Sequence, residues 1–121
     1  MSTSSTPASS VDEQILDNLR LELRRGSLIL AVLAQLRTEQ YGYILRKSLT
    51  DLGLDIDENT LYPLLRRLET QGLLASVWRE QDKRNKRFYT LSLSGRAIFE
   101  RLRGEWQSLN DSLTRVMDQK L

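Results

Sequence analysis

The sequence predicts a mainly α-helical fold with one small β-hairpin, and three observations lead to that prediction. Apolar residues recur every three or four positions in three segments before residue 72, which is helical spacing. Two segments with period-two alternation, 74–79 and 88–93, flank the polar run 80–87, which predicts a hairpin with a long charged tip. Apolar residues spaced three and four apart then continue over 99–116, which predicts a long final helix.

The first helical segment carries an apolar residue every four positions from Val11 to Leu23, and a second apolar stretch, 28–36, follows Gly26. One helix could span about 12–37, with Gly26 as a weak point that costs about 1 kcal/mol. Two helices that break at Arg25 and Gly26 are the alternative. The Ser/Thr-rich residues 1–10 lack basic residues and an apolar stretch, so we expect a disordered tail rather than a targeting peptide.

Two shorter helices follow, joined by a short connection that contains Gly53. Asp57 can cap the second of them, which is the third predicted helix and has its apolar positions within 61–68. Pro63 creates a conflict, because a proline in a helix interior costs about 3 kcal/mol. That rule favours a helix that begins at Thr60, with Pro63 in its first turn. A cap at Asp57 places Pro63 further inside the helix.

Three helices, a hairpin and a long helix are the elements of a winged helix-turn-helix followed by a long C-terminal helix. The outward face of the third helix carries Asn and Arg side chains, which can read adenine and guanine edges, and Thr, which can contact bases or phosphates. The cationic hairpin can lie along the DNA backbone or enter a minor groove. The candidate DNA-binding residues are Tyr43, Asn59, Thr60, Tyr62, Pro63, Arg66, Arg67, Lys83, Arg84, Lys86 and Arg87.

Positive charge is concentrated in the middle of the chain. The 121 residues have a net charge of +2, but 58–103 carry +5, whereas 1–57 carry −2 and 104–121 carry −1. A cationic segment is the electrostatic footprint of a surface that binds phosphates, although a solvated charged face gives the same pattern. The order of the elements, more than the charge, favours DNA as the partner.

Composition excludes several other classes of protein. The sequence has no Cys and no His, so disulfides, thiolate metal sites and Ser-His-Asp catalysis are absent, and we expect neither an enzyme nor a metal or other cofactor. No apolar run approaches the roughly 20 residues of a membrane-spanning helix, so we expect no membrane partner. Cysteine-free composition is compatible with a cytoplasmic protein.

Four segments resemble motifs of PadR-type transcriptional regulators. Residues 41–45 (YGYIL) resemble the hGYei segment of that family, and 60–69 (TLYPLLRRLE) resemble its TLYPxLxRLE signature. Residues 71–74 resemble xGLI, and 87–95 resemble RkxYxLTxxG with Ser92 in place of Thr. The resemblance covers about 19–117, and the TLYP segment is its most specific part. It implies a winged-helix fold, a homodimer, repression relieved by a small molecule, and a recognition helix with Pro63 inside it.

We expect the two end helices to form the homodimer, because the seam of the final helix and the stripe at the start of the first are too apolar to remain in water. Packing of the seam on the first helix of the same chain is the alternative. The candidate dimer residues are Val11, Ile15, Leu19, Phe99, Leu102, Trp106, Leu109, Leu113 and Val116.

The two tryptophans of the sequence receive different interpretations. Trp106, in the middle of the seam, is the candidate ligand-binding residue for a small planar aromatic or phenolic effector at the dimer axis, or else a plain interface tryptophan. Trp78, in the hairpin, is expected to pack against the core.

The resulting organisation is a tail over 1–10, a winged-helix DNA-binding domain over 11–93 and a dimerisation helix over 94–121. The function predicted is a ligand-responsive repressor that binds double-stranded operator DNA as a homodimer. The alternative is a winged-helix module that uses the same basic face to bind another protein or RNA.

Overall fold

The computed structural model describes residues 10–121. Four helices and three strands follow in the order α1 (Ser10–Gln35), β1 (Gln40–Tyr41), α2 (Gly42–Asp51), α3 (Glu58–Thr70), β2 (Leu74–Gln81), β3 (Arg84–Leu91) and α4 (Leu93–Asp118). The expected tail lies outside the described residues apart from Ser10, which begins α1.

The first helix is continuous through Gly26, so the one-helix alternative is correct. Its two halves differ in their surroundings. The C-terminal half buries Val32 and Leu33 in the core, whereas the side chains before Leu28 are exposed. Nothing lies within 4 Å of the place where a Cβ on Gly26 would be, so the glycine weakens the helix without making a close contact that requires it.

The helix-turn-helix is formed by α2, a short turn and α3. Gly53 takes a φ of +94°, and the amide of Leu54 donates to the Leu49 carbonyl at 2.8 Å, which ends α2. The Asp57 carboxylate accepts the amide of Thr60 at 2.9 Å and so caps α3.

Because α3 is capped by Asp57, the predicted start of the helix at Thr60 is wrong, and Pro63 lies inside α3. Proline cannot donate to the carbonyl of Asn59, four residues earlier. Because Asn59 is exposed, water can hydrate that carbonyl, and the cost of the proline is correspondingly reduced.

The hairpin, called the wing below, is more regular than its sequence suggests. β2 and β3 pair antiparallel from Leu74 with Leu91 to Gln81 with Arg84. The predicted long charged tip is wrong, since only Asp82 and Lys83 form the turn. Their φ values of 54° and 64° are those of a two-residue type I′ turn, whose twist matches that of the strands.

β1 adds a third strand at the free edge of β3, with Tyr41 opposite Phe88. The sequence did not indicate it, because two residues are too few to show an alternating pattern.

The core lies where α1, α2, α3, the sheet and the first turns of α4 meet. Its buried members are Val32, Leu33, Leu36, Leu45, Leu49, Ile56, Leu61, Leu65, Leu68, Leu74, Tyr89, Leu91 and Phe99. Phe99 is only 4% exposed, so its assignment to the dimer seam is wrong. Helical spacing identified its face of α4 correctly, but the first turns of that face are covered by the chain's own core.

The junction between the sheet and α4 is tightly bonded. The Ser92 hydroxyl accepts the amide of Gly95 at 2.9 Å as the helix cap, and donates to the carbonyl of Gly72 at 2.6 Å. The amide of Ser92 donates to the Leu73 carbonyl at 3.0 Å. A Cβ on Gly95 would collide with that same carbonyl, so a glycine is required at this contact.

None of the helices within residues 10–121 combines the length and apolar character needed to cross a membrane.

Candidate nucleic-acid interface

The polar residues of α3 point to two different sides of the helix. Tyr62 and Arg66 line a groove of about 400 Å³ between α3 and the wing. Thr60, Pro63 and Arg67 line a second groove, of about 520 Å³, whose other wall is α1. The predicted recognition face is therefore divided, and only Tyr62 and Arg66 adjoin the wing.

The groove between α3 and the wing, called the wing groove below, combines aromatic rings with cations. Its walls come from the start of α2, from α3 and from both wing strands. The lining residues are Tyr41, Gly42, Tyr43, Tyr62, Arg66, Trp78, Arg84, Asn85, Lys86, Arg87 and Tyr89.

The placement of Trp78 contradicts its predicted packing in the core, since the side chain is 64% exposed. Strand alternation assigns it correctly to the face that also carries Ser76, but the core reaches only as far along that face as Tyr89. Beyond Tyr89 the same face borders the wing groove, and Trp78 lies there.

Arg87 connects the wing to α3. Its Nη2 lies 2.7 Å from Oε1 of Glu69, and its Nε donates to the Ser76 hydroxyl at 3.0 Å. That hydroxyl in turn donates to the other Glu69 oxygen at 2.6 Å. The guanidinium also lies over the rings of Trp78 and Tyr89, at 5.7 and 5.5 Å from their centroids. Arg87 is thus a bridging residue as well as a candidate DNA contact.

Lys86 is also engaged within the protein. Its ammonium lies 4.4 Å from the centroid of the Tyr41 ring, donates to the Tyr41 hydroxyl at 3.3 Å, and lies 3.9 Å from an Asp82 carboxylate oxygen. Lys83 and Arg84, by contrast, are exposed at the end of the wing. The four predicted wing cations therefore form two pairs, one at the tip and one held against neighbouring elements.

Burial raises the pKa of the Tyr89 phenol above its ordinary value, and the nearby Arg87 charge opposes this effect without cancelling it. The Tyr89 side chain is therefore neutral at physiological pH. It supplies the floor of the wing groove with a ring rather than a charge.

Gly42 is a feature of the groove that sequence reasoning missed. A Cβ at this position would collide with the ring of Tyr62. The signal was present, since Gly42 and Tyr62 belong to two of the family motifs, but nothing in the sequence says that these motifs touch.

The end helices expose their apolar faces. Leu102, Trp106, Leu109, Leu113 and Val116 are all exposed on α4, with Trp106 at 47%. Val11, Ile15 and Leu19 are exposed on α1.

A cavity of about 510 Å³ lies between these two helices in a single chain. Gly26 and Leu30 line it from α1, and Leu102, Trp106 and Leu109 line it from α4. Pairing of the seam with α1 within the chain therefore leaves a gap beside Trp106.

A capped recognition helix, a tight wing and a cationic groove between them define a winged-helix DNA-binding regulator. Residues 29–101 match the family model described as the transcriptional regulator PadR-like family. The chain belongs to this family.

Individual relatives agree with that assignment and with the predicted fold. The transcriptional regulator Rv3488 of Mycobacterium tuberculosis is 38% identical over 77 residues, which cover 63% of this chain and 72% of that protein. The crystal structure of a PadR family regulator from Eggerthella lenta is 40% identical, with a TM-score of 0.85 over 93% of this chain and all of that one. A regulator from Clostridium thermocellum is 26% identical, with a TM-score of 0.71 over 78% of this chain and 96% of that one.

Proposed function

We propose that this chain is a cytoplasmic, ligand-responsive repressor that binds operator DNA as a homodimer. The observation that carries the proposal is the wing groove, in which Tyr62 and Arg66 of the recognition helix face the aromatic and cationic side chains of the wing. The family's role is transcriptional regulation. To this the proposal adds that the control is repression, that the protein acts as a homodimer, and that a small molecule relieves the repression.

In this proposal α3 enters the major groove and the wing reaches the adjacent minor groove. Asn59 and Arg66 have the side chains that read base edges. Thr60, Tyr62, Pro63 and Tyr43 contact the backbone and sugars around them, and Arg67 contributes a phosphate contact from the side that faces α1.

The two wing pairs have different tasks. Lys83 and Arg84, exposed at the tip, contact phosphates directly. Lys86 and Arg87 are held within the protein, so they add positive charge to the groove while fixing the position of the wing.

The dimer is supported by the exposed apolar residues of α1 and α4. Removing such side chains from water is worth about 25 cal/mol per Å² of apolar surface, which favours a second copy over a solvated seam. An isologous dimer would also bring two recognition helices about one DNA turn apart.

A small planar aromatic or phenolic effector is supported by the cavity beside Trp106, which has apolar side chains from both helices around it. An indole face can stack on such a ligand, and a second copy across a twofold axis would supply another. Ligand bound there would change the spacing of the recognition helices, so DNA affinity would fall by linkage.

The DNA-binding proposal is tested by titrating labelled duplex with protein at several salt concentrations. Lys83→Ala with Arg84→Ala should weaken binding to a similar degree on all sequences and lower the salt slope by about one for each cation removed. Arg66→Ala should instead reduce sequence preference, by about 1–3 kcal/mol at one base pair.

Arg79→Ala is the matched control, because Arg79 pairs with Glu39 at 2.6 Å and does not line the wing groove. It should leave the salt slope unchanged. A wild-type protein that does not bind duplex DNA at low salt would contradict the proposal and favour the protein-interaction alternative.

The effector is tested by tryptophan fluorescence in the Trp78→Phe variant, in which Trp106 is the remaining tryptophan. Planar aromatic and phenolic compounds should quench its emission in a saturable way, and the same compounds should release DNA from the wild-type protein. If a broad panel produces no saturable change, or if Trp106→Ala leaves ligand affinity intact, Trp106 is an interface residue only.

A further inference from the structure

We propose that Trp78 binds the DNA strand that passes between the recognition helix and the wing, and that Arg87 and Glu69 hold it in place to do so. This inference rests on the proposed DNA-binding function. It assigns a contact residue that the sequence had placed in the core.

The first argument is that Trp78 is exposed and yet contacts a side chain that is itself held in place. The Arg87 guanidinium lies 5.7 Å from the centroid of the Trp78 ring, and that guanidinium is bonded to Glu69 at 2.7 Å and to Ser76 at 3.0 Å. A side chain already ordered in this way loses little rotamer freedom when a partner binds it.

The second argument is the path of the DNA. When a helix occupies a major groove and a hairpin occupies the adjacent minor groove, the sugar-phosphate strand that separates these grooves must pass between helix and hairpin. In this protein that space is the wing groove, with Arg66 and Tyr62 on one wall and Trp78 on the other.

The third argument is chemical complementarity. The indole N–H donates and cannot accept, which suits a phosphate oxygen, and the ring face suits the apolar side of a deoxyribose. Arg84 and Arg66 line the same groove and add positive charge. The Glu69 carboxylate, which would repel a phosphate, is occupied by Arg87 and Ser76.

Tyr43 strengthens the argument from a different element of the groove. It is 62% exposed at the start of α2 and lines the same groove as Trp78. A backbone strand in the groove would therefore meet an aromatic hydroxyl on one side and an indole on the other.

The experiment uses the Trp106→Phe variant, in which Trp78 is the remaining tryptophan, with a fluorescein-labelled duplex of mixed sequence at low ionic strength. Duplex binding is followed by fluorescein anisotropy, and Trp78 is followed separately by its emission and its access to acrylamide. We expect Trp78 emission to change and acrylamide access to fall at the same DNA concentrations that raise the anisotropy.

Affinity is then compared among variants at position 78 in the otherwise unchanged protein. Trp78→Ala should bind DNA about tenfold more weakly, the size expected when one hydrogen bond to a charged group is lost. Trp78→Phe keeps an aromatic ring but lacks the indole N–H donor. Its DNA affinity should therefore lie between that of the wild-type protein and that of Trp78→Ala. Val77→Ala is the matched control, because Val77 is also exposed, at 45%, but lies on the opposite face of β2.

Both measurements must agree for the proposal to stand. If Trp78→Ala binds within twofold of wild type, or if Trp78 emission and acrylamide access do not change while the anisotropy rises, Trp78 is not a DNA contact. In either case the DNA-binding function itself would remain intact. If the wild-type protein does not raise the anisotropy at all, it is the proposed function that fails.

Discussion

Gly42 and Tyr62 are in contact where α2 approaches α3, and the absence of a Cβ on Gly42 gives the ring its space. The ring lines the wing groove, so a glycine in one helix determines where an aromatic group of the recognition helix lies. The first two family motifs in the sequence are therefore parts of one structural unit.

Gly42→Ala should displace the Tyr62 ring and weaken DNA binding several-fold. Because the ring lies at the end of a rotatable side chain, the free energy of unfolding should change by no more than about 1 kcal/mol. Chemical denaturation and duplex titration would measure the two effects. Gly104→Ala is the control, since a Cβ there has open space; it should stabilise α4 slightly and leave DNA affinity unchanged. Equal DNA affinity for both variants would contradict the role given to Gly42.

Residues that act through short-range bonds were predictable from the sequence. Residues whose role depends on how deeply the fold buries them were not. Asp57 was recognised as a helix cap because capping needs only a short-range bond. Phe99 and Trp78 were both misassigned, in opposite directions. A period of 3.6 or of 2 identifies a face of an element, but it does not say how far along that face the core extends.

The recognition helix and the wing are joined by side chains in addition to the chain itself. Glu69, near the end of α3, accepts from Ser76 of β2 and from Arg87 of β3. Both strands of the wing are therefore fastened to the helix at one carboxylate. This link helps to hold the wing against the recognition helix, together with the wing residues Leu74, Tyr89 and Leu91, which are buried in the core.

Glu69→Gln should loosen the wing. The Glu69–Arg87 pair is partly exposed, so the free energy of unfolding should fall by only about 1 kcal/mol. The loosened wing should contribute less to DNA binding, so the salt dependence of DNA binding should become less steep. Glu80→Gln removes the same charge from an exposed wing residue and serves as the control. If both variants show the same salt slope, the lost charge alone explains the result and the link has no positioning role.

Among the elements, the four helices were predictable because their apolar residues recur at helical spacing over many residues. The wing was predicted as a loop over its polar half, since residues exposed on both faces of a hairpin show no apolar alternation. The wing is ordered by backbone pairing and by the left-handed backbone conformation of Asp82 and Lys83 at its turn. The residue types at these two positions did not by themselves indicate that conformation.

On the scale of the whole molecule, the described part of the chain has two regions of different character. The winged-helix part encloses a core, while the far ends of α1 and α4 expose apolar side chains from Val11 and Leu113 among others. Such a surface is typical of a subunit interface. The seam was visible in the sequence as a regular apolar spacing, but that spacing did not decide between a second copy and the first helix of the same chain as its partner.

Leu109→Asp with Leu113→Asp should prevent assembly. Burying two unpaired carboxylates in the proposed interface would cost about 3–5 kcal/mol or more, so light scattering at micromolar concentration should report a monomer. Gln107→Asp with Ser108→Asp adds equal charge to the polar face of α4 and should remain dimeric. A monomeric wild-type protein at that concentration would contradict the dimer.

In the proposed response to a ligand, the bonds around Ser92 and Gly95 would be the pivot about which α4 tilts. Its 26 residues give it a length of about 39 Å, and Trp106 lies about 20 Å from its first residue. A sideways displacement of about 2 Å at Trp106 corresponds to a tilt of about 6° at the pivot. The pivot is bonded to Gly72 and Leu73, which join the end of the recognition helix to the wing. Under the proposed function, an effector beside Trp106 would act on the joint between those two DNA-binding elements through the length of helix from Leu93 to Trp106.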